Sequence, residues 1–124
     1  MYRLGCIALS ILISTSISGA SQPVLPNEIN NYDLLPGQPI TLQNIQPNTV
    51  ILRCEVHFAT STYHVLVKGV KGSSIINGTT INPGQTMTLQ VYQMQVIPII
   101  ANVGAQTQFT NLSSNILRLA CTSK

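Results

Sequence analysis

From Gln38 onward, apolar and polar residues of this chain alternate, and turn-forming residues interrupt the alternation every few positions. Period two belongs to a strand with one buried face. A helix needs apolar residues at i, i+3, i+4 and i+7, and no stretch keeps that spacing. Within 50–58, Val50, Leu52, Cys54, Val56 and Phe58 share one face; within 117–121, Leu117, Leu119 and Cys121 do. Strands are predicted over 38–45, 49–58, 62–70, 73–77, 79–81, 85–92, 94–101, 105–112 and 115–122. They are separated by Gln46-Pro47-Asn48, Lys71-Gly72, Asn77-Gly78, Asn82-Pro83-Gly84 and Ser113-Ser114. Asn77-Gly78 is the strongest hairpin signal, because a type I′ turn requires positive φ at both central positions. Many short strands at regular spacing predict an all-β fold, a small antiparallel β-sandwich over residues 38–124.

The first twenty residues have a different character. Arg3 precedes an apolar stretch from Leu4 to Ile17, and Ser18-Gly19-Ala20 supplies small residues before Ser21. This is the pattern of a secretory signal peptide, so residues 1–20 are expected to be removed and the product to be secreted or periplasmic. The run falls short of the roughly 20 apolar residues that span a bilayer, so no membrane span is expected after cleavage. Cys6 lies ahead of the apolar stretch, which argues against a lipoprotein box. Residues 21–37 read as a lead-in segment punctuated by Pro23, Pro26 and Pro36 and by Asn27, Asn30 and Asn31, with a short strand or helical turn open around 29–35.

Of the three cysteines, Cys54 and Cys121 remain in the expected product. Export favours a disulfide between them, and both lie on inward faces, so an inter-sheet bridge is predicted. In the chain-entropy view, closing so long a loop stabilises the fold by about 4 kcal/mol. The spacing of the two cysteines is similar to that in immunoglobulin domains, and the general architecture expected is Ig-like. The chain has no Trp to pack on the bridge, and Leu119 stands where a tyrosine corner would place Tyr, so membership of that family is not implied. One internal echo is visible. Pro36-Gly37-Gln38-x-x-Thr41-Leu42-Gln43 recurs as Pro83-Gly84-Gln85-x-x-Thr88-Leu89-Gln90, which reads as one type II turn used twice.

Charged residues make up only 7% of the chain and the net charge is +3, a weak bias toward anionic partners and not a nucleic-acid signature. Glu28, Asp33 and Glu55 are the only acids and are scattered; no phosphate loop, zinc-protease motif or nucleophile elbow is present. Catalysis and a bound cofactor are therefore not expected. Three features carry candidate chemistry. First, a hairpin over 50–70 centred on Thr60-Ser61 would set His57 beside His64 on an outer face, one step from Glu55. Two imidazoles and a carboxylate suit Zn²⁺ or Cu²⁺, which makes a metal-binding or metal-delivery protein the alternative reading. Second, the same hairpin would set Arg53 opposite Lys68 with Lys71 nearby, a basic cluster for an anionic ligand. Third, alternation fails in Val96-Ile97-Pro98-Ile99-Ile100-Ala101, and Pro98 points to an edge strand. An edge apolar on both faces at Val96, Ile97, Ile99 and Ile100 needs cover, from the chain's own 29–35 segment, from burial in the core or from a partner, and the partner reading makes it the expected binding surface. Asn77-Gly78-Thr79 and Asn111-Leu112-Ser113 match the glycosylation acceptor pattern, which matters only in a eukaryotic source. The expectation is a non-catalytic exported sandwich that binds another protein or an anionic envelope component, its oligomeric state open.

Overall fold

A computed structural model describes residues 21–23 and 29–123; the expected signal peptide lies outside these residues. The described chain forms eleven strands: β1 (Ser21–Pro23), β2 (Ile29–Leu34), β3 (Pro39–Gln43), β4 (Val50–His57), β5 (Tyr63–Lys71), β6 (Ser74–Ile76), β7 (Thr79–Ile81), β8 (Thr86–Val91), β9 (Val96–Ala101), β10 (Gln106–Asn111) and β11 (Leu117–Ser123). They build a six-stranded sheet, ordered β2-β11-β4-β9-β6-β7, and a five-stranded sheet, ordered β1-β3-β10-β5-β8. Every pairing is antiparallel except β1 on β3. The inner faces meet in a core that includes Leu34, Leu52, Val56, Val65, Val67, Ile76, Val91, Phe109 and Leu117. This is the small β-sandwich that alternating short strands imply.

The chain changes sheet at every connection except β6–β7. That one is the Asn77-Gly78 hairpin, with φ of 49° and 86° at its two central residues. The expected hairpin over 50–70 does not exist, because β4 and β5 lie in different sheets. Alternation says which side chains point inward, not which strand lies beside them, and two inward faces can meet across a core as readily as along a sheet. Phe58 marks the crossing. It adopts φ of 71° and is exposed where an inward position was expected, while the next residue, Ala59, is buried and donates its amide to Gln93 Oε1.

The disulfide between Cys54 and Cys121 is present, but it is not the inter-sheet bridge expected. β4 and β11 are neighbours in one sheet, and the two cysteines are directly opposed with Cα atoms 3.9 Å apart. The Val56 amide donates to Gln95 O, on the β9 side of β4. Cys54, two residues earlier, turns its backbone the same way, so its pairing with Cys121 is of the close, non-hydrogen-bonded kind. The bridge still points into the core, with both cysteines fully buried.

The separation of 67 between the cysteines is also the period of the whole framework. Shifting β2 (Ile29–Leu34) by it gives β9 (Val96–Ala101), and β3 and β4 likewise superpose on β10 and β11. In the six-stranded sheet Cys54 faces Cys121, and in the five-stranded sheet Thr41 faces Gln108, so each position meets its own counterpart. Leu34 opposite Leu117 repeats as Ala101 opposite Val50. The two halves, β2-β3-β4 and β9-β10-β11, are thus related by a two-fold axis through the disulfide. The hydrogen bonds repeat too. Gly37 N donates to Asn111 O, and Gly104 N to Asn44 O; Gln38 N donates to Leu35 O, and Ala105 N to Asn102 O. Gly37 and Gly104 both take positive φ, 73° and 76°. The Pro-Gly-Gln echo noted above is only the turn: Gln85 N donates to Asn82 O with Gly84 at φ 85°, as in the loop of Gly37.

Two further expectations change. β9 is not an edge strand. It pairs with β4 along its whole length and with β6 at Ile99–Ala101. Pro98 is accommodated because its missing N–H would face the β6–β7 turn, from which Asn77 N donates to Pro98 O. The boundary of the sandwich also moves: the short strand left open around 29–35 forms as Ile29–Leu34, paired with β11 and with Tyr32 and Leu34 in the core, so the sandwich begins ahead of residue 38.

Candidate functional site: the outer face of the six-stranded sheet

The inner face of β4 holds Val50, Leu52, Cys54 and Val56, which leaves Ile51, Arg53, Glu55 and His57 on its outer side. β9 divides likewise. Ile97 and Ile99 are core, at 3% and 4% exposure, while Val96, Pro98 and Ile100 face outward. Pairing assembles these into rows across the sheet. Ile100 is opposed by Ile51 on one side and Ile75 on the other, an apolar row across three strands. The next row runs Pro98, Arg53, Thr122, Ile29; the one after it Val96, Glu55, Ala120, Asn31. The last aligns His57, Arg118 and Asp33.

The charges at that end are matched locally. Arg118 donates Nε to Asp33 Oδ1 at 2.6 Å and a terminal nitrogen to Oδ2 at 3.1 Å, with its guanidinium 4.7 Å from the centroid of the Phe58 ring. This contact lowers the Asp33 pKa and raises that of Arg118. His57 Nε2 lies 2.9 Å from Glu55 Oε1. Arg53 has no charged neighbour across either pairing, since it faces Pro98 and Thr122.

The metal cluster expected from the sequence is not assembled. His57 is on the outer face of the six-stranded sheet. His64 is on that of the five-stranded sheet, opposite Gln90, so the core lies between them. The basic cluster is divided in the same way. Arg53 belongs to one face; Lys68, opposite Gln108 and Thr86, and Lys71 belong to the other sheet. Among the described residues, no three His, Cys, Asp or Glu side chains are placed to hold a metal ion.

Sequence reasoning missed Ile51 and Ile75. Ile51 stands among Arg53, Glu55 and His57 as the one apolar residue of its face, which was visible; that it meets Ile100 requires the pairing. The other outer face is of a different kind, with Gln108, Thr110, Thr88 and Gln90 along its strands. Between the sheets lie two cavities of ≈ 10 Å³ each, one walled by Val65, Leu89 and Ile97 among others, the other by Asn44 and Phe109 among others. Each is about the volume of one water probe and is a packing gap, far from the several hundred Å³ of a ligand pocket. No helix among the described residues is long and apolar enough to cross a membrane. No protein family, curated protein or solved structure matches this chain.

Proposed function

We propose that this is an exported, non-catalytic binding module that meets a protein of the envelope or extracellular space through the outer face of its six-stranded sheet. The observation that carries the reading is the row Ile51–Ile100–Ile75, apolar side chains directed to solvent from three adjacent strands, with Pro98 and Arg53 in the next row. Contiguous apolar surface at the centre of a sheet, rimmed by charge, is the composition of an interface core and rim. Arg53, without a charged neighbour across the sheet, gives the surface a preference for an anionic partner group. Of the residues expected to bind, Val96, Ile100 and Arg53 lie on this face, whereas Ile97 and Ile99 lie in the core.

A photo-cross-linking side chain introduced at Ile100 in the producing cells tests this. A discrete adduct is expected from position 100, and none from Thr88 on the opposite outer face. An Ile51→Glu change should abolish the adduct without lowering the level of exported protein. Equal adducts from both faces, or none from position 100, would contradict the reading.

A further inference from the structure

The two-fold axis locates a second surface, on an edge and not a face, and it stands whether or not the outer face binds a partner. In the half containing β9, the edge turned away from the axis is covered. β6 pairs there with Ile99 opposite Ile76, Ile100 opposite Ile75 and Ala101 opposite Ser74. The counterparts of Ile99, Ile100 and Ala101 in the other half are Tyr32, Asp33 and Leu34 of β2. β2 is the last strand of its sheet, and no described strand pairs with its outer edge.

The backbone groups at that edge follow from the repeat. Pro98 turns its carbonyl toward β6, where Asn77 N donates to it. Its counterpart is Asn31. In an antiparallel strand, alternate residues present both N–H and C=O to the same side, so Asn31 and Asp33 present theirs outward. Native edges are blunted by proline, lysine, a bulge or brevity. β2 has six residues, no proline, no lysine and no bulge. Its only charge, Asp33, is already held by Arg118.

We propose that a second copy of this chain covers this edge, β2 against β2, antiparallel about Asn31. In that register Asn31 of one copy faces Asn31 of the other as a hydrogen-bonded pair, and Asp33 of each faces Ile29 of the other. No like charges are opposed, although each copy carries a net positive charge. The pairing joins two six-stranded sheets into one continuous sheet. It is isologous, so it uses up both β2 edges and closes at the dimer.

The test uses the full exported chain with its disulfide intact. Analytical ultracentrifugation across the micromolar to high-micromolar range should show a reversible monomer–dimer equilibrium. Asn31→Pro removes one edge-facing donor; β9 holds proline at the equivalent position, so the fold accepts it. This variant should remain monomeric, with an association constant at least about tenfold weaker and an unchanged far-ultraviolet circular dichroism spectrum. Should Asn31→Pro fail to fold, Asn31→Lys places two ammonium groups across the axis without touching the backbone. It should weaken the dimer in a salt-dependent way. A wild-type chain that stays monomeric at the highest concentration would overturn the proposal. So would a dimer that persists in Asn31→Lys.

Discussion

At the scale of single residues, two buried asparagines do the same work in each half. Asn44 Nδ2 donates to Asn48 O, Ala101 O and Asn102 O, and Gln46 N donates to Asn44 Oδ1. Asn111 Nδ2 donates to Leu34 O and Asn115 O, and Ser113 N donates to Asn111 Oδ1. Each amide fills the bend where the chain leaves the five-stranded sheet for the other and donates to one buried carbonyl, Ala101 O for Asn44 and Leu34 O for Asn111. Asn111→Ala leaves those groups unpaired, and a loss of about 1–3 kcal/mol in a denaturant melt is expected. Asn111→Asp keeps the shape but turns a donor into an acceptor facing two carbonyl oxygens; it should cost more, and more still above its own pKa. None of this was legible in the sequence, because asparagine between strands reads as a turn former and nothing in local pattern distinguishes a buried one. The acid titration also belongs here. Arg118 holds Asp33 below the ordinary carboxylate range. The pair's contribution to stability is therefore present above that range and disappears as pH falls through the lowered Asp33 pKa. Arg118→Gln should move the Asp33 carboxyl carbon titration upward; an unchanged midpoint would dissociate the two residues.

At the scale of strands, alternation located every element from Pro39 onward to within a few residues of its ends, and Asn77-Gly78 identified the hairpin. Pairing was not legible. A strand's inward face looks the same whether its neighbour in sequence lies beside it or across the core, so the alternation on either side of Thr60-Ser61 suggested a hairpin where the chain crosses between sheets. The run Val96–Ala101 misled for a second reason: an outer face with apolar Val96 and Ile100 resembles a strand buried or uncovered on both sides. The structure separates the two faces, and substitution can as well. Ile97→Lys or Ile99→Lys buries an unpaired charge and should cost several kcal/mol or prevent folding. Ile100→Lys, on the outer face, should change the melting free energy by less than about 1 kcal/mol. Similar losses at positions 99 and 100 would contradict the assignment of faces.

At the scale of the whole molecule, the two-fold framework explains why the cysteines are where they are. Positions identical in the two halves each hold it together: Gly37 and Gly104 in the turns, Asn44 and Asn111 in the bends, Asn48 and Asn115 as their carbonyl partners, Leu52 and Leu119 in the core, Cys54 and Cys121 on the axis. The repeat is faint in sequence because strand positions need only the right side of the apolar–polar divide, and only turns, buried amides and the bridge demand a particular residue. Cys54→Ala removes the link across the axis and should lower stability by about 2–5 kcal/mol. The most direct test of the framework is a nuclear Overhauser spectrum of the oxidised protein. Cys54 and Cys121 form a close, non-hydrogen-bonded pair. So do Thr41 and Gln108, because Asn44 N bonds to Ala105 O and residues 41 and 43 face the other way. Strong contacts between α-protons are expected within both pairs. An α-proton contact from Cys54 to Val67, as a 50–70 hairpin would give, with none between Thr41 and Gln108, would contradict it.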